Sequence, residues 1–249
     1  MQVIVVDDYE ALSALAAGLV AGFLWARPDA TLALPTGATP EGFYRALVAT
    51  GVSFARVRTF NLDEYRGLSR EHPGSFYHYM KTRLFDHVDL PPEHRFVLDG
   101  TAADPDAECR RYEEAIRQAG GIDLAILGLG LNGHIGFNEP GTPWDSRTRL
   151  VTLTESTRRA NARFFGGPDR VPREALTMGI GTILEARRIL VLVSGAGKAA
   201  IVRRFLEGPA TPEVPATALR NHPHVTVILD RAAAGHLTGH GTVVSGHKK

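Results

Sequence analysis

Six short apolar runs, separated by helical patterns, constrain this chain more than any other feature. Residues 3–6, 31–34, 57–62, 122–127, 188–193 and 225–229 are largely continuous in hydrophobicity instead of alternating. That is the pattern of strands covered on both faces. Between them lie helical patterns at 9–26, 39–49, 75–85, 104–118, 198–207 and 214–221. Strand and helix in alternation predict an α/β fold, a largely parallel sheet flanked by helices. No repeat, low-complexity segment or Pro/Gly/Ser-rich linker divides residues 1–249, so one domain is expected. Residues 140–175, rich in arginine and weak in periodicity, read as a long excursion able to cover a site.

Bulk properties exclude more than they identify. A net charge of +1, with Lys and Arg spread along the chain, gives no basic surface suited to nucleic acid. Cys109 is the only cysteine, which leaves no intramolecular disulfide and no cysteine-rich zinc site. It is expected to be a bystander on a helix. No apolar run is read as reaching the roughly 18–20 residues of a membrane span, and the start MQVIVVDDYE lacks the basic region and cleavage site of a signal peptide. A soluble, cytoplasmic protein with no membrane partner is expected.

In parallel α/β sheets ligands bind beyond the carboxyl ends of strands, so four loops matter. The first, GLGLNGHIGFNEPGT at 128–142, opens with a G-x-G-x-x-G match. A dinucleotide loop needs its third glycine to lead into a helix. Here Gly133 leads into His134-Ile135-Gly136-Phe137-Asn138-Glu139-Pro140, a poor helix former. The glycines are read instead as letting the backbone approach a ligand and aiming His134. Glu139 is close enough in sequence to bond the imidazole and set its tautomer for proton transfer; a buried histidine satisfied by a neighbour is the alternative.

FNLDEY, at 60–65, ends the third strand. Asp63 and Glu64 point opposite ways if the chain stays extended, so one can serve as a general base. A helix cap or ion pair is the alternative. LPTGATPEGF, at 34–43, is a strand, a small-residue loop and a helix opening with Thr39 as N-cap and Pro40 behind it. Such a helix start suits a phosphate, although Glu41 would repel one if it faced inward, and a plain turn remains open. VSGAGKAA, at 193–200, lacks the Walker A pattern because Leu192 and Ala199 stand where a glycine and a hydroxyl are required. Lys198 can still hold a single phosphate as a point charge. His222/His224 and His236/His240 read as solvated pairs, and no metal site is expected.

PTGATP, FNLDEY, HPGSFYHYM, GLNGHIGFNEPGT, TRRANARFF, VPREALTMGIGTIL and SGAGKA occur in this order over residues 30–230. In order and spacing they resemble the glucosamine-6-phosphate deaminases. The resemblance implies a single Rossmann-like domain, no metal and no nucleotide cofactor. It implies a small sugar-phosphate substrate, glucosamine 6-phosphate, isomerised and deaminated to fructose 6-phosphate and ammonia. Asp63 would be the base moving a proton from C2 to C1. His134, oriented by Glu139, would open the pyranose ring. Gly37, Thr39, Arg163 and Lys198 would hold the phosphate, with Arg163 arriving on the 140–175 excursion as a lid.

Two positions depart from the allosteric members. Asn132, beside the catalytic histidine, replaces an aspartate, which leaves His134 without a second carboxylate. Val151 replaces a lysine used to hold an N-acetylglucosamine 6-phosphate effector, while Arg149 remains; with the chain also ending early, no activation by that effector is expected. A homo-oligomer is possible, as monomers and hexamers both occur. The rivals are a 6-phosphogluconolactonase-type hydrolase, which normally lacks the FNEP run, and a non-catalytic sugar-phosphate sensor. A sensor carries a helix-turn-helix ahead of the domain, where the first strand here starts near Val3.

Overall fold

A computed structural model describes residues 1–162, 165–239 and the backbone of 242–243. In chain order the elements are β1 Gln2–Val6, α1 Tyr9–Ala26, β2 Thr31–Leu34, α2 Thr39–Ala49, β3 Arg58–Asn61, β4 Asp63–Tyr65 and α3 Phe76–Arg83. They continue through β5 Arg95–Phe96, α4 Pro105–Gln118, β6 Leu124–Gly128, β7 Arg149–Thr152, α5 Glu155–Asn161 and β8 Glu174–Thr177. The last are α6 Ile180–Leu184, β9 Ile189–Val193, α7 Ala199–Glu207, β10 Val225–Asp230 and β11 Thr242–Val243.

Eight strands form the main sheet in the order β11-β1-β10-β9-β6-β2-β3-β5, and their pairings are parallel. The continuous hydrophobicity of the strands has its reason in the two cores. Leu32, Leu34, Leu124, Ile126, Leu190 and Leu192 face α1, α2 and α3. Ala33, Ala125, Leu127, Ile189, Val191 and Val193 face α4, α6 and α7. Neighbouring residues of one strand therefore go to opposite cores, as the two-residue period requires. Cys109 belongs to the second core, where burial pushes its thiol up to about 11. It is packing material, as expected.

From β2 the chain builds outward through β3 and β5 on one side, and β6, β9 and β10 build outward on the other. The direction reverses between β2 and β6, and their carboxyl ends open a crevice there.

Three sequence expectations need correction. The 140–175 excursion is not irregular: β8 pairs antiparallel with both β4 and β7 in a second, three-stranded sheet, and α5 lies between β7 and β8 in the chain. Strands of four residues and a seven-residue helix are too short to show a period. The helix expected at 214–221 is a 3-10 segment, Pro215–Asn221. Finally, α1 has 18 residues with a mean hydropathy of 1.4, enough by length and composition for a bilayer span. Scanning for unbroken apolar runs misses it, because Ser13, Gly18 and Gly22 interrupt the pattern. Its Leu12, Ala16, Val20 and Leu24 are buried against the main sheet, the position of a core helix.

The two sheets are joined where the start of α6 grips the segment before β7. Gly181 N donates to Ser146 O at 2.9 Å and Ile180 N to Ser146 Oγ at 3.0 Å. A Cβ on Gly179 would lie 2.1 Å from Ser146 O, a backbone atom that cannot swing aside. Gly179→Ala is therefore expected to destabilise the protein by about 2–3 kcal/mol, read as a lowered midpoint in urea unfolding. An unchanged midpoint would show that this junction is not tight.

Candidate active site

The crevice is a cavity of about 660 Å³ into which all four sequence-selected loops open. Its phosphate-type end is the loop after β2. Three tyrosines hold the carbonyls of this loop from behind. Tyr44 Oη donates to Pro35 O at 2.6 Å and Tyr79 Oη to Gly37 O at 2.7 Å. Tyr9 Oη lies 3.1 Å from Ala38 O and 3.0 Å from Thr39 O. With the carbonyls engaged, and Gly37 at φ +109° turning the chain, the N–H groups of Gly37, Ala38 and Thr39 have no acceptor among the described residues. Free amides at a helix start form an anion site.

One detail differs from expectation. Ala38 occupies the N-cap position, with Thr39 and Pro40 in the first turn, and no side chain caps the helix. Thr39 is thus left to face the cavity instead of satisfying its own helix. Glu41 pairs with Arg83 at 3.6 Å, away from the cavity lining. The tyrosines gave no signal in the sequence, because each reaches its carbonyl from a different helix.

Asp63 and Glu64 do point opposite ways. Asp63, in register with Thr177 of β8, lines the cavity at 6% exposure. Burial, then the neighbouring Glu64, push its carboxyl well above the usual range. Glu64 takes the capping role: it accepts from Phe76 N and Tyr77 N at 2.9 Å each and from Tyr65 N at 2.8 Å. Burial pushes Glu64 up to about 7 against those donors.

The glycine-rich loop after β6 has two constrained glycines. A Cβ on Gly130 would lie 2.3 Å from the His134 ring. Gly133 has φ +89°, and a Cβ there would meet Val214 at 2.7 Å. Both serve the placement of His134. The expectation that Glu139 bonds the imidazole directly is corrected: His134 Nδ1 is 3.8 Å from Glu139 Oε2. Asn132 stands between them. Its Nδ2 donates to Glu139 Oε2 at 2.7 Å, and its Oδ1 lies 2.7 Å from His134 Nδ1. An acceptor facing Nδ1 requires the hydrogen there and leaves Nε2 with its lone pair. Burial pulls the imidazole below its usual value; Glu139 raises it and Lys198 lowers it further.

Lys198 follows β9 on a turn held by Asp230, which accepts from Gly195 N at 2.9 Å. Its Nζ donates to Leu129 O, and burial lowers it to about 8. Arg163 lies outside the described residues. His222, expected to be solvated, is buried, with Nε2 2.7 Å from Ala186 O and Nδ1 accepting from His224 N at 3.1 Å; His240 lies outside the described residues. Among the described residues no three His, Cys, Asp or Glu side chains cluster as metal ligands.

A profile of the family described as glucosamine-6-phosphate isomerases/6-phosphogluconolactonase matches residues 9–228. The chain belongs to this family. Among relatives, the glucosamine-6-phosphate deaminase of Bacillus velezensis is 52% identical over 94% of this chain and 99% of its own length. That of Rhodopirellula baltica is 50% identical over 94% of this chain and 95% of its own. A solved structure of a monomeric glucosamine-6-phosphate deaminase, 50% identical, superposes with a TM-score of 0.93 over 95% of this chain and 100% of that one. A 6-phosphogluconolactonase from Trypanosoma cruzi, 21% identical, shares the fold with a TM-score of 0.77 over 96% of this chain and 97% of its own.

Within the family's fold the loop glycines acquire a measurable role. Gly130→Ala is expected to push the imidazole aside and lower kcat/KM by about 10²-fold or more, with an unfolding midpoint near that of the parent. Full activity in this variant would show that the ring is not held by Gly130.

Proposed function

We propose that this chain is a glucosamine-6-phosphate deaminase, an aldose–ketose isomerase that also releases ammonia. One observation carries the reading: the free amides, Lys198, Asp63 and His134 line a single cavity. The relatives' names agree with it.

The substrate phosphate binds the amides of Gly37, Ala38 and Thr39, with Lys198 as a point charge and Arg163 as a further cation. His134 accepts the anomeric hydroxyl proton at Nε2 and returns it to the ring oxygen, which opens the pyranose. The aldehyde formed at C1 acidifies the C2 proton. The C2 ammonium of the sugar keeps Asp63 ionised on binding and gives up one proton to solvent; Asp63 then removes the C2 proton to give an enolamine. Returned to C1, the proton leaves an imine at C2. Water hydrolyses the imine to fructose 6-phosphate and ammonia. Asn132 and Glu139 hold the imidazole tautomer that this sequence requires. We infer a cytoplasmic location, since a phosphorylated sugar does not diffuse through a membrane and stays in the compartment where it is made.

The direct test is release of ammonia and fructose 6-phosphate from glucosamine 6-phosphate, with Asp63→Asn losing exchange of the C2 proton with solvent. Retained exchange would remove Asp63 from the base role. The Lys198 value adds a pH signature. Its ammonium is present below about 8 and lost above it, so substrate affinity falls as pH rises through that value. KM should increase roughly tenfold per pH unit on the alkaline side if the charge is required. Lys198→Met should have a high KM that no longer varies there. A flat KM in the parent enzyme would contradict the assignment.

A further inference from the structure

The carboxylate of Glu139 has one oxygen on the histidine side and one on the side of α5. Oε2 accepts from Asn132 Nδ2 at 2.7 Å. Oε1 receives two hydroxyls, Thr157 Oγ1 in a short hydrogen bond and Thr154 Oγ1 at 3.1 Å. Thr154 also caps α5, its Oγ1 accepting from Thr157 N at 3.2 Å. Thr157 is 3% exposed. A continuous series of hydrogen bonds thus runs from the first turn of α5 through Glu139 and Asn132 to the imidazole. The same helix lends Ser156, Thr157, Ala160 and Asn161 to the cavity wall.

We propose that Thr157 is a positioning residue, which fixes the tautomer of His134 from α5 by pinning the outer oxygen of Glu139. The inference rests on the deaminase reading for its effect on turnover, but not for its effect on the histidine. A carboxylate pinned at Oε1 cannot rotate, so Oε2 stays on the Asn132 amide. That contact obliges Asn132 to present its carbonyl, not its NH₂, to Nδ1. Without the Thr157 hydroxyl, Oε1 keeps only the longer Thr154 bond. The carboxylate can then turn; the amide, whose Oδ1 keeps only a 3.2 Å bond from the His134 backbone N–H, can flip, and an NH₂ facing Nδ1 moves the ring hydrogen to Nε2. Such an imidazole cannot accept the anomeric proton. The charged groups around the ring are Glu139 on its own loop and Lys198 on the turn before α7, and Asp63 on β4 lines the same cavity. Thr157→Val leaves all three in place, so its effect is one of orientation. Val preserves the shape of the side chain, and Thr157→Ser restores the hydroxyl without the methyl group.

Two readouts decide the matter. Long-range ¹⁵N–¹H correlation spectra of the ligand-free protein report the His134 tautomer. The Nδ1–H form is expected in the parent and in Thr157→Ser, and a mixture in Thr157→Val. In the ammonia-release assay Thr157→Val should lose at least about tenfold in kcat with KM within about threefold of the parent, and Thr157→Ser should recover most of it. A parent tautomer and parent kcat in Thr157→Val would overturn the proposal. So would a Thr157→Ser variant as impaired as Thr157→Val, which would assign the effect to packing of the methyl group. A changed tautomer with unchanged kcat would overturn the link to turnover. If the parent itself releases no ammonia, the deaminase reading falls, while the spectra still decide what Thr157 does.

Discussion

The structure depends on the parallel hydrogen-bond ladder of β3, β2, β6 and β9. Leu34 is in register with Asn61, Leu32 with Leu124, and Gly128 with Leu192. Parallel neighbours must be joined by crossovers that return to the starting edge. Every loop that leaves these strands therefore emerges at one edge of the sheet. The phosphate-type amides, Asp63, His134 and Lys198 come from segments as far apart as residues 37 and 198 and share a cavity for that reason. The opposite edge has a different character. There Asp123 accepts from Thr31 N and pairs with Arg27 and Arg187.

The small antiparallel sheet adds what the parallel one cannot supply. It holds Asp63 against Thr177, whose hydroxyl also accepts from Phe137 N at 3.1 Å. Asn138 donates to Ile135 O at 2.8 Å and Met178 O at 2.9 Å, and its own carbonyl accepts from Arg149 at 2.9 Å. The segment 135–138 is thereby tied to β8 and β7 on both flanks. Buried polar groups paired in this way fix one geometry, since each alternative leaves a donor or acceptor unsatisfied. A loop without helix or strand of its own acquires the rigidity that proton transfer demands.

The cavity's electrostatics follow from the same burial. Asp63 and Glu64 are raised, His134 and Lys198 are lowered, and in each case burial is the largest cause. Low dielectric disfavours the charged form of every one of these groups. A phosphorylated amino sugar carries the complementary charges, a dianion for Lys198 and the free amides, an ammonium for Asp63. Bound as proposed, such a substrate would restore the ionisation of Asp63 and Lys198 that the proposed chemistry uses.

Much of this was legible in the sequence. Continuous apolar runs at the strand positions, with helical spacing between them, identified the doubly covered sheet, because burial on two faces leaves no room for alternation. Loop position then pointed to Asp63, His134, Thr39 and Lys198, since strand ends are where a parallel sheet exposes backbone. The tyrosines behind the amide loop, the Asn132 bridge and the Thr157 contact were not legible. Nor was the second sheet, whose strands span only three or four residues. Such features depend on pairs of atoms brought within about 3 Å by segments distant in sequence. Glu139 shows the difference most directly. Sequence spacing put it near His134, but only the fold decided that an amide would stand between them and that its other oxygen would belong to α5.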